Sequence, residues 1–123
     1  MEKNRLRIII SGGGTGGHIF PAISIANALR EQQPAAEILF VGAEVRMEMD
    51  KVPPAGYNIV GLPVAGFSRS LTPKNLIVII KLIKSLVKAN RIVKHFKPHV
   101  VVGVEGYASG PIVKAAQRKG IPT

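Results

Sequence analysis

The sequence predicts an α/β fold built on a doubly wound parallel sheet. Short, nearly continuous apolar segments alternate with longer segments whose apolar residues recur at helical spacing. Unbroken apolar runs are typical of strands that are buried on both faces of a parallel sheet. Two of these runs lead into glycine-rich segments, as expected where a strand turns tightly into a helix.

The first half of the chain contains three predicted strands. Residues 6–10, 38–41 and 57–62 are short, mainly apolar segments, and Gly42 ends the second of them. Residues 19–30 have helical periodicity, and Pro21 is tolerated in the first turn. Residues 44–52 are predicted as a short helix or turn that Pro53 and Pro54 close.

Predicted helices and strands continue to alternate in the second half of the chain. After a loop at 63–73, a long helix is predicted at 75–96, begun by Thr72 and Pro73 and stopped by Pro98. A fourth strand is predicted at 100–104 and a further helix at 112–119. Residues 120–123 resemble the approach to a fifth strand, so we expect one domain over 1–123 that is truncated before its last strands.

The two glycine-rich segments follow the first and fourth predicted strands, at 12–17 and 103–111. In a doubly wound sheet with strand order 3-2-1-4, these strands are neighbours where the winding reverses. Ligands bind at the carboxyl ends of the strands at this point. We therefore expect both loops to converge on one ligand site.

The amino-acid composition indicates which classes of ligand this site could bind and which it could not. The 123 residues carry a net charge of +10 and contain no cysteine, which excludes disulfides and thiolate metal sites. Between Asp50 and Glu105 every charged residue is basic, which favours an anionic partner. Only 5% of the residues are aromatic, so stacking on single-stranded nucleic acid is not indicated and no nucleic acid is expected. No apolar run approaches the roughly 18 residues that span a bilayer.

The first glycine loop is compatible with two kinds of phosphate site. A nucleotide-hydrolysing P-loop is rejected, because His18 and Ile19 stand where lysine and a hydroxyl residue are required. A dinucleotide site matches formally, with Glu44 as its acidic residue, and would indicate an NAD-type oxidoreductase. A glycosyltransferase loop would hold a sugar or lipid diphosphate. His18 favours this second kind, because a neutral imidazole could accept a proton from a sugar hydroxyl.

Several motifs carry a more specific resemblance. The chain resembles the N-terminal half of the MurG family of peptidoglycan glycosyltransferases. The resemblance is carried by residues 13–22, the Arg46-Met47-Glu48 triplet, residues 106–111 and residues 120–122. The resemblance implies the acceptor-side domain of a two-domain GT-B fold. The family moves N-acetylglucosamine from UDP-N-acetylglucosamine onto lipid I, making lipid II. It implies a peripheral location on the cytoplasmic face of the bacterial inner membrane and no cofactor, and an isolated fragment is expected to be inactive.

The same resemblance implies roles for individual residues. His18 is the expected catalytic base or a sugar contact, although it could simply cap the helix, and Thr15, Gly16 and Gly17 are expected to contact the donor. The acceptor diphosphate is expected to lie against Gly13, Gly14, Gly103, Gly106, Tyr107, Ser109 and Gly110. Glu105 departs from the family, which usually has glycine there, and its carboxylate would repel a diphosphate. His95 and His99 are interpreted as structural, and no metal site is expected.

The pattern of apolar and basic residues along the long helix predicts contact with an anionic membrane. Projected at 100° per residue, its expected core face contains Leu76, Ile79, Leu82, Ile83, Leu86, Val87 and Val93. The opposite stripe is basic, with Lys81, Lys84, Lys88 and Arg91. Apolar residues inside or beside that stripe and in the preceding loop complete the predicted contact surface: Ile77, Ile80, Phe67 and Leu71. Apolar side chains ringed by cations suit the surface of an anionic bilayer.

Overall fold

Strands and helices alternate as predicted. The computed structural model describes residues 5–13, 19–43, 48–63, 73–106 and 109–123. In chain order the elements are β1 (Arg7–Gly13), α1 (Ile19–Gln32), β2 (Glu37–Ala43), α2 (Glu48–Lys51), a 3-10 turn (Pro53–Ala55), β3 (Asn58–Leu62), α3 (Pro73–Phe96), β4 (Val100–Gly106) and α4 (Ser109–Arg118).

Within the described residues the strands form a four-stranded parallel sheet of order β3-β2-β1-β4. This is the predicted order. Ile9 of β1 lies beside Leu39 of β2 and Val101 of β4, which places the first strand at the centre. The central position explains the uninterrupted isoleucines of β1, because both of its faces are covered.

β1 and β4 extend further than the apolar runs predicted. The glycines at their ends still pair across the sheet, so β1 continues to Gly13 and β4 to Gly106. A register irregularity lies between Ser11 and Gly13. Glycine lacks the apolar side chain on which the sequence prediction relied, but its backbone can still adopt an extended conformation.

Two apolar cores lie on opposite faces of the sheet. On the first face, Ile8 and Ile10 pack in one cluster with Ala22 and Ala26 of α1. On the second face, Ile9 belongs to a cluster with buried residues of both α3 and α4, among them Ala89, Val93, Ala115 and Ala116. The small alanines allow each helix to approach the strands closely, so burial on both faces holds β1 in place.

Contacts around Tyr57 hold α1 against the first face of the sheet, near β3. The Arg30 guanidinium lies 4.3 Å from the centre of the Tyr57 ring, and the Tyr57 hydroxyl donates a hydrogen bond to Asn27 Oδ1. The Phe40 and Tyr57 rings are 5.2 Å apart. Gly56 precedes Tyr57 with φ at 95°, a left-handed conformation that favours glycine. These contacts tie α1 to the turn that precedes β3.

The prediction for the buried face of α3 is wrong in part. Leu76 is 63% exposed, and Ile79, Ile83 and Val87 are 49%, 55% and 52% exposed. The fully buried positions are instead Ser85, Ala89 and Val93. The helix packs through its small residues, which bring its backbone close to the sheet and to α4, and this rotates the buried face by about a quarter of a turn.

The predicted basic stripe of α3 is largely confirmed. Lys81, Lys84 and Arg91 are exposed. Lys88 is half-buried, and its Nζ donates a hydrogen bond to the Gly61 carbonyl oxygen at 2.6 Å. This bond ties the middle of α3 to β3, which is one of the two edge strands of the sheet in the described residues.

Candidate functional site

The carboxyl ends of β1 and β4 bring the bases of the two glycine loops together. Ser11 lies opposite Gly103, and Gly13 lies opposite Gly106. β1 ends at Gly13 and β4 ends at Gly106, each within its glycine-rich segment. Residues 14–18 and 107–108 lie outside the described residues. The predicted convergence is therefore confirmed for the strand ends from which both loops start.

The helices that follow these loops also begin at this edge of the sheet. α1 begins at Ile19, directly after the first loop, and α4 begins at Ser109, after only two intervening residues. α1 packs on the first face of the sheet and α4 on the second. Helix N-termini carry unpaired N–H donors and a positive partial charge. An anion at the ends of β1 and β4 would lie near both N-termini.

The predicted site residues divide into three groups. Gly13, Gly103 and Gly106 lie in the paired strands. Ser109 and Gly110 lie in the first turn of α4, which begins three residues earlier than predicted. The remaining predicted site residues lie outside the described residues, and their roles stay predictions: Gly14, Thr15, Gly16, Gly17, His18 and Tyr107.

Ser11 joins β1 to β2 near the carboxyl end of β1, and the sequence analysis did not select it. Its side chain is buried, and Oγ donates a hydrogen bond to the Val41 carbonyl oxygen at 2.9 Å. The bond links β1 to β2 two residues before β1 ends. A serine that interrupts an apolar strand just before a glycine loop is a signal that could have identified it.

Neither a metal centre nor a membrane-spanning helix is found in the part of the chain that the structure describes. It contains no group of three or more histidine, aspartate or glutamate residues that could hold a metal ion. None of its helices combines the length and the apolar character needed to cross a bilayer.

The outer surface of α3 is more apolar than the sequence analysis predicted. Ile77 and Ile80, predicted as membrane contacts, are 55% and 45% exposed. The exposed apolar set also includes Leu76, Ile79, Ile83 and Val87. Exposed Lys81 and Lys84 border it, whereas Phe67 and Leu71 lie outside the described residues. Several large apolar side chains exposed on one helix are typical of an interaction surface.

Comparison with known proteins shows which family and which relatives this chain resembles. Residues 8–123 match the glycosyltransferase family 28 N-terminal domain. Over all 123 residues the chain is 68% identical to the UDP-N-acetylglucosamine--N-acetylmuramyl-(pentapeptide) pyrophosphoryl-undecaprenol N-acetylglucosamine transferase of Phocaeicola vulgatus. It is 65% identical to the protein of the same name from Bacteroides thetaiotaomicron. The chain covers 32% and 33% of these two relatives, so it spans about one third of their length.

Solved structures agree with the sequence relatives. The crystal structure of Acinetobacter baumannii MurG superposes with a TM-score of 0.79 at 27% identity, over 95% of this chain and 33% of that one. The resemblance predicted from the glycine motifs is thus confirmed, and the oxidoreductase alternative is not favoured. This chain belongs to the glycosyltransferase family 28 N-terminal domain family.

Proposed function

We propose that this chain is the acceptor-side domain of an enzyme that transfers N-acetylglucosamine from UDP-N-acetylglucosamine to lipid I, forming lipid II. The observation that carries the proposal is the 68% identity, over the full chain, to a relative whose name states this donor and acceptor. The adjacent ends of β1 and β4 support it, because ligands of doubly wound sheets bind at the carboxyl ends of neighbouring strands where the winding reverses.

The proposed chemistry is a direct displacement. His18 accepts the proton of the muramyl 4-hydroxyl, whose oxygen attacks the anomeric carbon of N-acetylglucosamine. The bond from that carbon to the UDP oxygen breaks, and UDP leaves with the bonding electrons. His18 immediately precedes α1 in the sequence, and a neutral imidazole at this position would accept that proton.

The experiment that tests this function uses a chimera. This chain replaces the matching third of the Phocaeicola vulgatus relative, and transfer of radiolabelled N-acetylglucosamine to lipid I is measured. We expect the chimera to be active and the 123-residue chain alone to be inactive. His18→Ala in the chimera should lower kcat with little loss of stability, because the two apolar cores of the domain are built from other residues. A folded chimera that shows no transfer would contradict the proposed function.

We further propose that the exposed surface of α3 holds the enzyme on the cytoplasmic face of the inner membrane. Exposed Ile77 and Ile80 would enter the headgroup region while Lys81 and Lys84 attract anionic lipid. Each basic residue near such a surface contributes about 1 kcal/mol, screened over about 8 Å at physiological salt.

Vesicle sedimentation tests the membrane proposal. Binding to anionic vesicles should fall as salt rises, and Ile77→Ser should remove the salt-resistant part of the binding. Replacing Lys81 and Lys84 by glutamine should remove the salt-sensitive part. The double change Lys114→Gln with Arg118→Gln, which removes two exposed positive charges from α4, serves as the matched control. If anionic vesicles do not bind at low salt, the membrane proposal is wrong.

A further inference from the structure

The pairing of β1 with β2 ends before its pairing with β4. Within the described residues, the register of β1 against β2 runs from Arg7 to Ser11, which lies opposite Val41. Beside β4 the register continues to Gly13, which lies opposite Gly106. Ser11 is therefore the position at which β1 stops pairing with one of its two neighbours, close to the edge of the sheet where the candidate site lies.

The pairing of β1 with β4 is itself irregular beyond Ser11. From Ser11 to Gly13 the first strand advances two residues, whereas β4 advances three, from Gly103 to Gly106. One extra residue on one strand is the pattern of a β-bulge, which disrupts the ladder locally and increases the twist. Such irregularities are common beside functional sites, where they change the direction of a strand end. The direction in which β1 ends therefore depends on contacts other than a regular ladder.

The Ser11 side chain makes a contact of this kind. Ser11 and Val41 are 0% and 1% exposed, and Ser11 Oγ donates a hydrogen bond to the Val41 carbonyl oxygen at 2.9 Å. Three isoleucines precede Ser11, so the serine interrupts an apolar strand at its last pairing with β2. A short side chain bonded to the main chain of the adjacent strand limits how far the two strands can separate, and burial shields the bond from water.

We infer that Ser11 is a positioning residue for the transfer reaction, because its bond to Val41 fixes the direction in which β1 ends and so the placement of the chain that leads to His18. The inference rests on the proposed function, in which His18 accepts the proton of the attacking hydroxyl. Ser11 acts only through the main chain, since its own side chain is buried. Transfer reactions are sensitive to placement, and a displacement of about 1 Å can lower the rate about a hundredfold.

The chimera with the Phocaeicola vulgatus relative tests this role. Ser11→Ala should lower kcat about tenfold and change the KM for UDP-N-acetylglucosamine less than about twofold, because misplacement affects the transition state more than donor binding. Tyr57→Phe is the matched control, since it also removes one hydrogen bond made by the hydroxyl of a buried residue. Tyr57 precedes β3, at the amino-terminal edge of the sheet, so Tyr57→Phe should lower the Tm by a similar amount and leave kcat unchanged.

A conservative variant separates positioning from stability. Ser11→Thr keeps a hydroxyl on the same carbon and should restore most of the kcat that Ser11→Ala loses. Circular dichroism at the assay temperature checks that each variant is folded. If Ser11→Thr does not fold, the comparison with Tyr57→Phe decides the matter. If Ser11→Ala does not fold, Ser11→Cys replaces it, because a thiol is similar in size and only a weak donor.

The outcomes distinguish this inference from the proposed function. A parental kcat in Ser11→Ala would overturn the inference alone, and so would an equal loss of kcat in Ser11→Ala and Tyr57→Phe, which would show that the bond contributes only stability. A folded Ser11→Thr variant that is as slow as Ser11→Ala would also overturn it. An inactive parent chimera would instead refute the proposed function, and the inference would fall with it.

Discussion

Two buried serines should respond to the same substitution with opposite signs. Ser85 of α3 and Ser11 of β1 are both 0% exposed. Among the described residues, Ser85 Oγ is buried without a hydrogen-bond partner, whereas Ser11 Oγ donates to the Val41 carbonyl oxygen at 2.9 Å. Replacing each by alanine removes one hydroxyl and almost nothing else. We expect Ser85→Ala to raise the free energy of unfolding and Ser11→Ala to lower it.

The expected magnitudes follow from these environments. A buried hydroxyl without a partner costs about 1–3 kcal/mol in lost hydration, of which Ser85→Ala should recover a part. Alanine also has a helix propensity about 0.5 kcal/mol better than serine. The combined stabilisation should be about 1.5 kcal/mol, or a rise in Tm of about 5 °C for a domain of this size. Ser11→Ala loses a hydrogen bond worth about 1 kcal/mol and should lower the Tm.

Urea unfolding of the 123-residue chain measures both effects. The midpoint should move up for Ser85→Ala and down for Ser11→Ala, and the slope m should stay unchanged, because neither substitution alters the surface exposed on unfolding. A lower midpoint for Ser85→Ala would show that its hydroxyl has a partner, and the reasoning about α3 packing would be refuted.

Three other substitutions test separate contacts. Tyr57→Phe keeps the ring packing and loses the bond to Asn27, so it should cost about 1 kcal/mol in the free energy of unfolding; an unchanged midpoint in urea would contradict this. Lys88→Met keeps the packing of the stem and loses the bond to Gly61, so a similar cost is expected, and a loss below about 0.3 kcal/mol would show that the bond contributes little. Glu105→Gly should tighten diphosphate binding in calorimetry by removing like-charge repulsion, and equal affinity in both proteins would mean that the carboxylate faces away from the anion.

The fold was largely predictable from the sequence, because apolar runs and turn residues are local signals. The runs at 6–10 and 100–104 identified the strands, and the known winding of such sheets gave their order. The buried face of α3 was not predictable by the same means. Projection assigns the largest apolar residues to the core, but close packing selected Ser85 and Ala89 and left Ile83 exposed.

The site was predictable at the level of topology. Convergence of the glycine loops followed from strand order, and the pairing of Gly13 with Gly106 confirms it for the strand ends. Contacts such as that of Ser11 with Val41, or of Lys88 with Gly61, join residues far apart in sequence, so no local pattern reveals them. The roles of His18 and its neighbours rest on the family resemblance and stay predictions.

The central claim is that two glycine loops, one from β1 and one from β4, hold one diphosphate. Titration of the uniformly ¹⁵N-labelled chain with inorganic diphosphate, followed by NMR, tests it most directly. Backbone amide signals should shift together in both loops, 12–17 and 103–110, and fit a single dissociation constant. Shifts confined to one loop, or spread along the lysines of α3 with the loops unchanged, would contradict the claim.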